Sequence, residues 1–282
     1  MIDIRQSINY VNYLKSEGWC VERIEGINYF IKKFPIVGSI LKLQRPKKIN
    51  FNTIDKLCRK YRVFQIILEP DLAFTNGAVA VSKKYHDLLL HKGYKLSKSP
   101  YLPTKTMHLD LTRPLKFKKE TRRCIRVGEK AKIKAYSSPS EIKLFRDAWK
   151  KSVKFNRYVP SFKSLLNLRK SFPDNKSIFL ASHNKLGNII GGALFTRSLH
   201  DYGYYWYGFT NKEGRTSLSQ YALLHQGILW GKKQSCKIFD MEGIYDDRFP
   251  NKSWLGFTHF KKSFGGCEIS FPGYYTKFRL PI

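Results

Sequence analysis

The segment Phe260-Lys-Lys-Ser-Phe-Gly-Gly contains the residues best suited to catalysis in this chain of 282 residues. A cation fixed in a dry site stabilises an oxyanion that develops in a transition state. Lys261 could supply such a cation, and Phe260 beside it could hold a substrate or exclude water. Phe260 and Phe264 are also spaced as neighbours on a helix, so that both rings could instead be core anchors beside an ordinary surface lysine.

Residues 113–134 form a dense basic cluster, with ten Lys and Arg residues against two Glu residues. Arg122 and Arg126 lie within it on a predicted helix. Basic side chains of this kind contact phosphate groups, such as those of an RNA or of a pyrophosphate. A solvated helix face explains the same pattern. Arg157 is a further residue that we predict to bind substrate.

Four residues at predicted strand positions are also candidates for substrate binding. Tyr205 and Tyr207 alternate with one intervening residue, so we expect one strand face on which they line a substrate cleft or fill the core. Asp240 lies near the end of a predicted strand, and it either positions an amine or a ribose hydroxyl or caps a turn. Asp71 follows a strand of the first half and is predicted to contact a substrate.

The cysteines and histidines do not suggest a metal or disulfide site. The five cysteines are far apart, odd in number and form no CxxC pair, and the histidines are equally scattered. Reduced cytosolic thiols are the simplest interpretation. We predict no metal and no cofactor.

The net charge of +31 is the strongest property of the composition. Residues 1–105 contribute 19 − 8 = +11 and the remainder 33 − 13 = +20, so the charge is spread over the chain. Such a protein attracts RNA, pyrophosphate-bearing substrates and anionic membranes, although frequent use of lysine in an AT-rich genome explains the excess equally well. No long apolar segment and no secretory signal is recognised. We predict a cytoplasmic monomer that contacts the inner face of the membrane peripherally.

The order of predicted elements indicates a mixed α/β protein with two domains, residues 1–105 and 106–282. The turn-rich stretch 97–104 marks the boundary. In the second half, helix 139–155 precedes three strands, a long helix at 219–234 and a last strand at 237–241. This order is typical of an acyltransferase domain of the GNAT type. A Gly- and aromatic-rich tail is predicted to follow.

Five segments of the second half resemble motifs of the FemABX peptidoglycan aminoacyltransferases, and they occur in the order of that family. The last of them matches the family pattern GLxxFKxxFGG. The first half matches less closely, since Arg45 is followed directly by Pro46 where the family has an intervening Gly. The five segments are Thr121-Arg-Arg-Cys-Ile-Arg-Val-Gly-Glu-Lys-Ala, Asn184-Lys-Leu-Gly-Asn-Ile-Ile-Gly-Gly-Ala-Leu, Tyr204-Tyr-Trp-Tyr-Gly-Phe-Thr, Lys237-Ile-Phe-Asp-Met-Glu-Gly-Ile and Gly256-Phe-Thr-His-Phe-Lys-Lys-Ser-Phe-Gly-Gly.

This resemblance implies two GNAT-like domains in tandem, here without the family's coiled-coil arm. It also implies ester aminolysis, in which a stem-peptide amine attacks the aminoacyl ester of a charged tRNA. The acceptor would be UDP-MurNAc-pentapeptide or lipid II, and the product would carry an interpeptide bridge. The first domain would serve the acceptor, and Asp71 would contact it. The second would carry the FKxxFGG signature, with Lys261 as the catalytic cation and Phe260 beside it, and Tyr205 and Tyr207 would line the acceptor cleft. An activated ester needs no serine or cysteine nucleophile.

Two other functions remain open from the sequence. A GNAT N-acyltransferase would use acyl-CoA, but its pyrophosphate loop needs closely spaced glycines, and residues 211–220 contain only one. A non-catalytic RNA-binding protein would account for the charge, but it would leave the FKxxFGG match unexplained.

Overall fold

The computed structural model describes residues 3–72, 79–153, 157–173, 175–198 and 201–280. By their internal contacts the residues divide into two units. The first comprises Met1–Thr106, Gly243–Leu255 and Glu268–Ile282, and the second comprises Met107–Glu242 and Gly256–Cys267.

The helices of the described residues follow the polar caps and apolar spacing of the sequence. Ser7, Asn50, Ser138 and Ser161 each accept a backbone N–H of the helix that follows. In chain order the helices are α1 (Ile8–Ser16), α2 (Phe51–Lys60), α3 (Val79–His91), α4 (Lys119–Gly128), α5 (Pro139–Ser152), α6 (Phe162–Ser171), α7 (Lys212–Thr216), α8 (Ser219–Lys233) and α9 (Leu255–Ser263), with short 3-10 turns at Ile4–Gln6 and Lys252–Trp254.

The strands form two sheets. In chain order they are β1 (Cys20–Ile24), β2 (Ile27–Phe34), β3 (Gly38–Gln44), β4 (Val63–Glu69), β5 (Lys95–Ser97), β6 (Lys105–Asp110), β7 (Lys132–Tyr136), β8 (Ser177–His183), β9 (Ile189–Arg197), β10 (Tyr202–Thr210), β11 (Ile238–Gly243), β12 (Cys267–Ser270) and β13 (Tyr274–Phe278).

The first sheet has the order β1-β2-β3-β4-β13-β5. Strands β1, β2 and β3 are antiparallel, β3 is parallel to β4, and β13 is antiparallel to both β4 and β5. Leu41 and Leu68 are fully buried in a core that also takes up Ile54 and Leu57 of α2. The apolar stripe of α2 thus covers this sheet.

The second sheet has the order β12-β6-β11-β10-β9-β8-β7. Strands β7 to β10 are antiparallel, and β10 is parallel to β11 after the crossover through α7 and α8. Helix α8 lies close to β9, since a Cβ at Gly227 would stand only 2.2 Å from the Phe195 ring. On α5, the Trp149 ring stacks on Phe209 at 5.7 Å.

The predicted mixed α/β class is confirmed, and the described residues contain no coiled-coil arm, since their longest helix, α8, has 15 residues. No helix in the described ranges combines the length and apolarity needed to cross a bilayer. The predicted tail after β11 is wrong, because helix α9 and strands β12 and β13 form there. The last two residues of the predicted helix 139–155 lie outside the described residues.

Candidate active site

The FKxxFGG segment begins on α9 and ends in a tight turn. Gly265 and Gly266 have φ of +80° and +97°, which L-residues with a side chain rarely adopt. The N–H of Gly265 donates to the carbonyl of Lys262 at 3.0 Å and closes the helix. A Cβ at Gly266 would stand 2.4 Å from the carbonyl oxygen of His108. The double glycine therefore ends the helix and lets the chain pass closely by β6.

Lys261 is buried, with 8% of its surface exposed, whereas the neighbouring Lys262 is exposed. The Nζ atom of Lys261 lies 5.3 Å from the ring centroid of Phe257 and 5.5 Å from that of Tyr205. Burial lowers the pKa of Lys261 from 10.5 to about 8, although the carboxylates of Glu242 and Asp240 oppose this shift. The Lys261 side chain is thus mainly in its charged ammonium form at neutral pH. The two aromatic rings and the two carboxylates stabilise that charge.

The Phe260 ring packs in an aromatic cluster of α8 and α9. It meets Tyr221 edge-to-face at 4.9 Å and Phe264 at 5.6 Å. The rings above the Lys261 ammonium are those of Phe257 and Tyr205. These contacts are the ones expected of a core anchor, and a catalytic role of Phe260 stays a prediction.

Asp240 pairs with a histidine that we did not predict as a site residue. Its Oδ2 lies 3.3 Å from Nε2 of His108, and the two side chains are 9% and 14% exposed. Its Oδ1 accepts the N–H of Glu242 at 2.7 Å, and Glu242 has φ of +58°. Asp240 therefore caps a turn, as one alternative predicted, and also forms an imidazole–carboxylate pair. Pairing of β6 with β11 brings His108 to Asp240 across the sheet.

The expectation that Tyr205 and Tyr207 share a strand face is wrong. Tyr205 is opposite Phe195 on β9 and Tyr207 is opposite Leu194, so Trp206 is the extra residue of a β-bulge. Phe195 and Leu194 are neighbours on β9, so their side chains point to opposite faces of the sheet. Tyr205 and Tyr207, which lie opposite them, therefore point to opposite faces as well.

The two tyrosines accordingly have different surroundings. Tyr205 is buried, stacks on Phe195 at 5.4 Å and donates its hydroxyl to Oε1 of Gln220 at 3.0 Å. Burial raises the pKa of Tyr205 well above its usual value. The Tyr207 ring lies 5.2 Å from Trp149 of α5. Only Tyr205 therefore lies beside the Lys261 ammonium.

The basic cluster follows the amphipathic pattern of α4. Thr121, Cys124, Ile125 and Gly128 are buried. All ten Lys and Arg residues of the stretch 113–134 are exposed, including Arg122 and Arg126 on successive turns. Within the cluster, the Arg123 guanidinium pairs with Glu120 at 2.6 Å. This solvated face is open to a phosphate-bearing partner.

The remaining predicted residues lie apart from this cluster in the chain. Arg157 is exposed in the segment between α5 and α6. Asp71 belongs to the first unit, where its N–H donates to the carbonyl of Pro46 at 3.1 Å. Burial raises the pKa of Asp71, and the nearby Asp3 adds to the effect. The roles of Arg157 and Asp71 in substrate binding stay predictions.

The site can stabilise negative charge and accept a proton. A buried ammonium suits an oxyanion, and an imidazole paired with a carboxylate suits a general base. No group of three or more potential metal ligands occurs within the described part of the chain.

The structure is similar to several solved structures. Over 98% of this chain and 92% of the other, it matches the crystal structure of FemX with a TM-score of 0.77 and 15% sequence identity. The chain has the FemX fold. The FemABX-type fold expected from the motifs is thereby confirmed.

Two further structures share the FemX-like fold at lower similarity. One is the C-terminal domain of a putative lysylphosphatidylglycerol synthetase from Agrobacterium fabrum, with a TM-score of 0.60, 11% identity and coverage of 97% of this chain and 88% of that one. The other is L-PGS from Bacillus licheniformis, with a TM-score of 0.58, 14% identity and coverage of 95% and 86%. No family model and no curated protein matches the sequence.

Proposed function

We propose that this protein is an aminoacyltransferase that moves an amino acid from aminoacyl-tRNA to the stem-peptide amine of a peptidoglycan precursor. The observation that carries the proposal is the buried, charged Lys261 at the end of the FKxxFGG helix. The FemX-like fold supports it.

The proposed reaction is ester aminolysis. The acceptor amine has a reference pKa near 10.4 and first loses a proton. Its nitrogen then attacks the aminoacyl carbonyl, the new C–N bond forms, and the C–O bond to the tRNA ribose breaks. The ribose oxygen leaves with the second proton of the amine. The Lys261 ammonium stabilises the oxyanion of the tetrahedral intermediate.

The imidazole of His108 is the proposed acceptor of the first proton. Asp240 holds the ring and stabilises the imidazolium that forms. The negative charge of Asp240 also favours the ammonium of Lys261. Both groups of the proposed chemistry thus depend on one carboxylate, that of Asp240 on β11.

Charged tRNA is the proposed donor. Arg122 and Arg126 present an exposed basic face to a polyanion. The segment in which acyl-CoA would bind is occupied by the short helix α7, whose first turn is closed by Asn211. The N–H of Gly214 donates to the Asn211 side chain at 2.8 Å. This N–H is therefore already hydrogen-bonded and is not available to a pyrophosphate. This contact favours tRNA over acyl-CoA.

A lipid acceptor is the second candidate. The name of the putative lysylphosphatidylglycerol synthetase with a similar fold describes a lysyl group joined to phosphatidylglycerol. The same aminoacyl ester would then be attacked by a hydroxyl group.

Three further expectations stay predictions. They are the role of residues 1–105 on the acceptor side, the monomeric state and the peripheral membrane contact.

The deciding experiment offers the protein a mixture of charged tRNAs. UDP-MurNAc-pentapeptide, lipid II and phosphatidylglycerol are compared as acceptors, and the products are identified by mass spectrometry. We expect an aminoacylated stem peptide. A product formed only with acetyl-CoA as donor would refute the proposal, and a product formed only on phosphatidylglycerol would establish the second candidate.

A further inference from the structure

One end of the first sheet exposes five large apolar side chains. The tip of the β2–β3 hairpin contributes Phe34, Ile36 and Val37, and the end of β13 contributes Phe278 and Leu280. Ile36 is 94% exposed.

Strand register places both segments at the same end of the sheet. Strand β4 begins beside Ser39, just after the hairpin tip, where the N–H of Ser39 donates to the carbonyl of Arg62 at 3.0 Å. Strand β13 ends beside the start of β4, where the N–H of Arg279 donates to the carbonyl of Phe64 at 2.8 Å. The Phe34 and Phe64 rings lie 6.2 Å apart. The five side chains therefore form one exposed apolar edge, an uncommon feature unless it binds a partner.

The hairpin tip is also strained. Ile36 has φ of +70°, and the N–H of Val37 donates to the carbonyl of Pro35 at 2.7 Å. Together these features describe a γ-turn of the rare positive-φ type. A β-branched residue there is a conformational outlier, and Gly or Asn would fit the turn better. Ile36 thus weakens the turn and places an apolar side chain in water, which indicates a role outside folding.

Basic residues surround the tip. Lys33, Lys60 and Arg62 line an open depression of about 520 Å³ together with Phe34 and Ile36. Of these cations, Lys60 is paired with Glu22 at 2.7 Å. Cationic groups beside an apolar tip match a surface that is anionic outside and apolar beneath, which is the chemistry of a phospholipid interface.

We infer that this edge, the hairpin tip 34–37 with Phe278 and Leu280, docks the protein on an anionic phospholipid bilayer. Ile36 enters the interface, and the basic depression takes a phosphate-bearing headgroup. The apolar insertion and the charge attraction supply two separate binding signals, as stable peripheral attachment requires. This surface is independent of the proposed transfer reaction.

The test is co-sedimentation of the full chain with vesicles. Vesicles that contain phosphatidylglycerol are compared with vesicles of phosphatidylcholine alone, at low and high salt. We expect binding to the anionic vesicles that weakens as salt screens the charges. Ile36→Asn should weaken this binding about tenfold, because it removes the inserted side chain. Lys33→Gln should weaken it about fivefold, the loss expected for one charge near the surface.

Ile36→Asn has a second use, because Asn tolerates positive φ and should raise the melting temperature. Unfolding is thus excluded as the cause of lost binding. The matched control is Lys185→Gln with Leu186→Asn, at an exposed turn of the second unit where Leu186 is 85% exposed. This control should lose no more than the fivefold expected for its one charge. Vesicle binding that is unchanged by Ile36→Asn would refute the inference. A dimer that forms without vesicles and dissociates in Ile36→Asn would also refute it and would assign the edge to self-association.

Discussion

Replacement of Lys261 by Met should abolish most transfer and at the same time stabilise the fold. Met keeps the length and the apolar stem of the side chain but removes its charge. Without the ammonium, the oxyanion loses its proposed cation, and we expect the rate to fall by about 10²–10³, as for the loss of one oxyanion donor. A surface lysine would change the rate little.

The stability effect follows from the shifted pKa. Burial lowers the pKa of Lys261 from 10.5 to about 8. A difference of 10.5 − 8, or about 2.5 units, corresponds to about 3 kcal/mol at neutral pH. The Lys261 amine binds its proton more tightly in the unfolded chain than in the folded one. Below pH 8 the buried charge therefore lowers the free energy of unfolding by this full amount, and the loss disappears as the pH rises from 8 to 10.5. Met should therefore raise the free energy of unfolding by up to about 3 kcal/mol at pH 7, and this is a net value because the pKa of about 8 already includes the attraction to Glu242 and Asp240.

Two measurements test both effects. Single-turnover transfer from charged tRNA gives the rate, and denaturant unfolding at pH 7 and at pH 10 gives the stability. The wild type should gain stability relative to the variant between these pH values. Lys262→Met is the matched control, since this neighbouring lysine is exposed and should change neither quantity appreciably. Wild-type turnover in Lys261→Met would refute the catalytic role, and a less stable variant at pH 7 would refute the burial argument.

Three further outcomes are expected. Replacing Arg122 and Arg126 by Ala should weaken RNA binding and make the slope of log K against log[salt] shallower by about one to two units, as a salt titration would show. Gly266→Ala should lower the free energy of unfolding by about 1–3 kcal/mol, because its Cβ meets a backbone carbonyl, whereas Gly256→Ala, with open space around it, should be neutral or stabilising in a denaturant melt. His108→Asn should slow transfer at pH 7 by about 10²-fold and move the rising limb of the pH–rate profile towards the pKa of the amine.

The second sheet was the more predictable part of the fold. Strands β8, β9 and β10 are the three strands predicted between the helix at 139–155 and the long helix at 219–234, because short apolar segments between turn signals mark strands. The bulge at Trp206 was not predictable, since neither Gly nor Pro marks it. It reversed the side on which Tyr207 was expected.

The imidazole–carboxylate pair could not be found from spacing alone. His108 and Asp240 lie far apart in the sequence, and their contact depends on the order of strands in the sheet. Sequence patterns indicate strands, but the neighbours of each strand follow from the topology of the whole domain. The substrate-binding roles of Arg122, Arg126 and Arg157 stay predictions, because the fold alone does not test them.

The burial of Lys261 could have been predicted if α9 had been recognised as a helix. Thr258, Lys261 and Phe264 are buried at successive intervals of three residues, which is the spacing of one helical face. Lys262 follows Lys261 by about 100° around the axis and is exposed. Two adjacent lysines of identical charge are thus distinguished by helical phase alone. The double glycine, predicted as part of a Gly- and aromatic-rich tail, is in fact the stop signal of this helix.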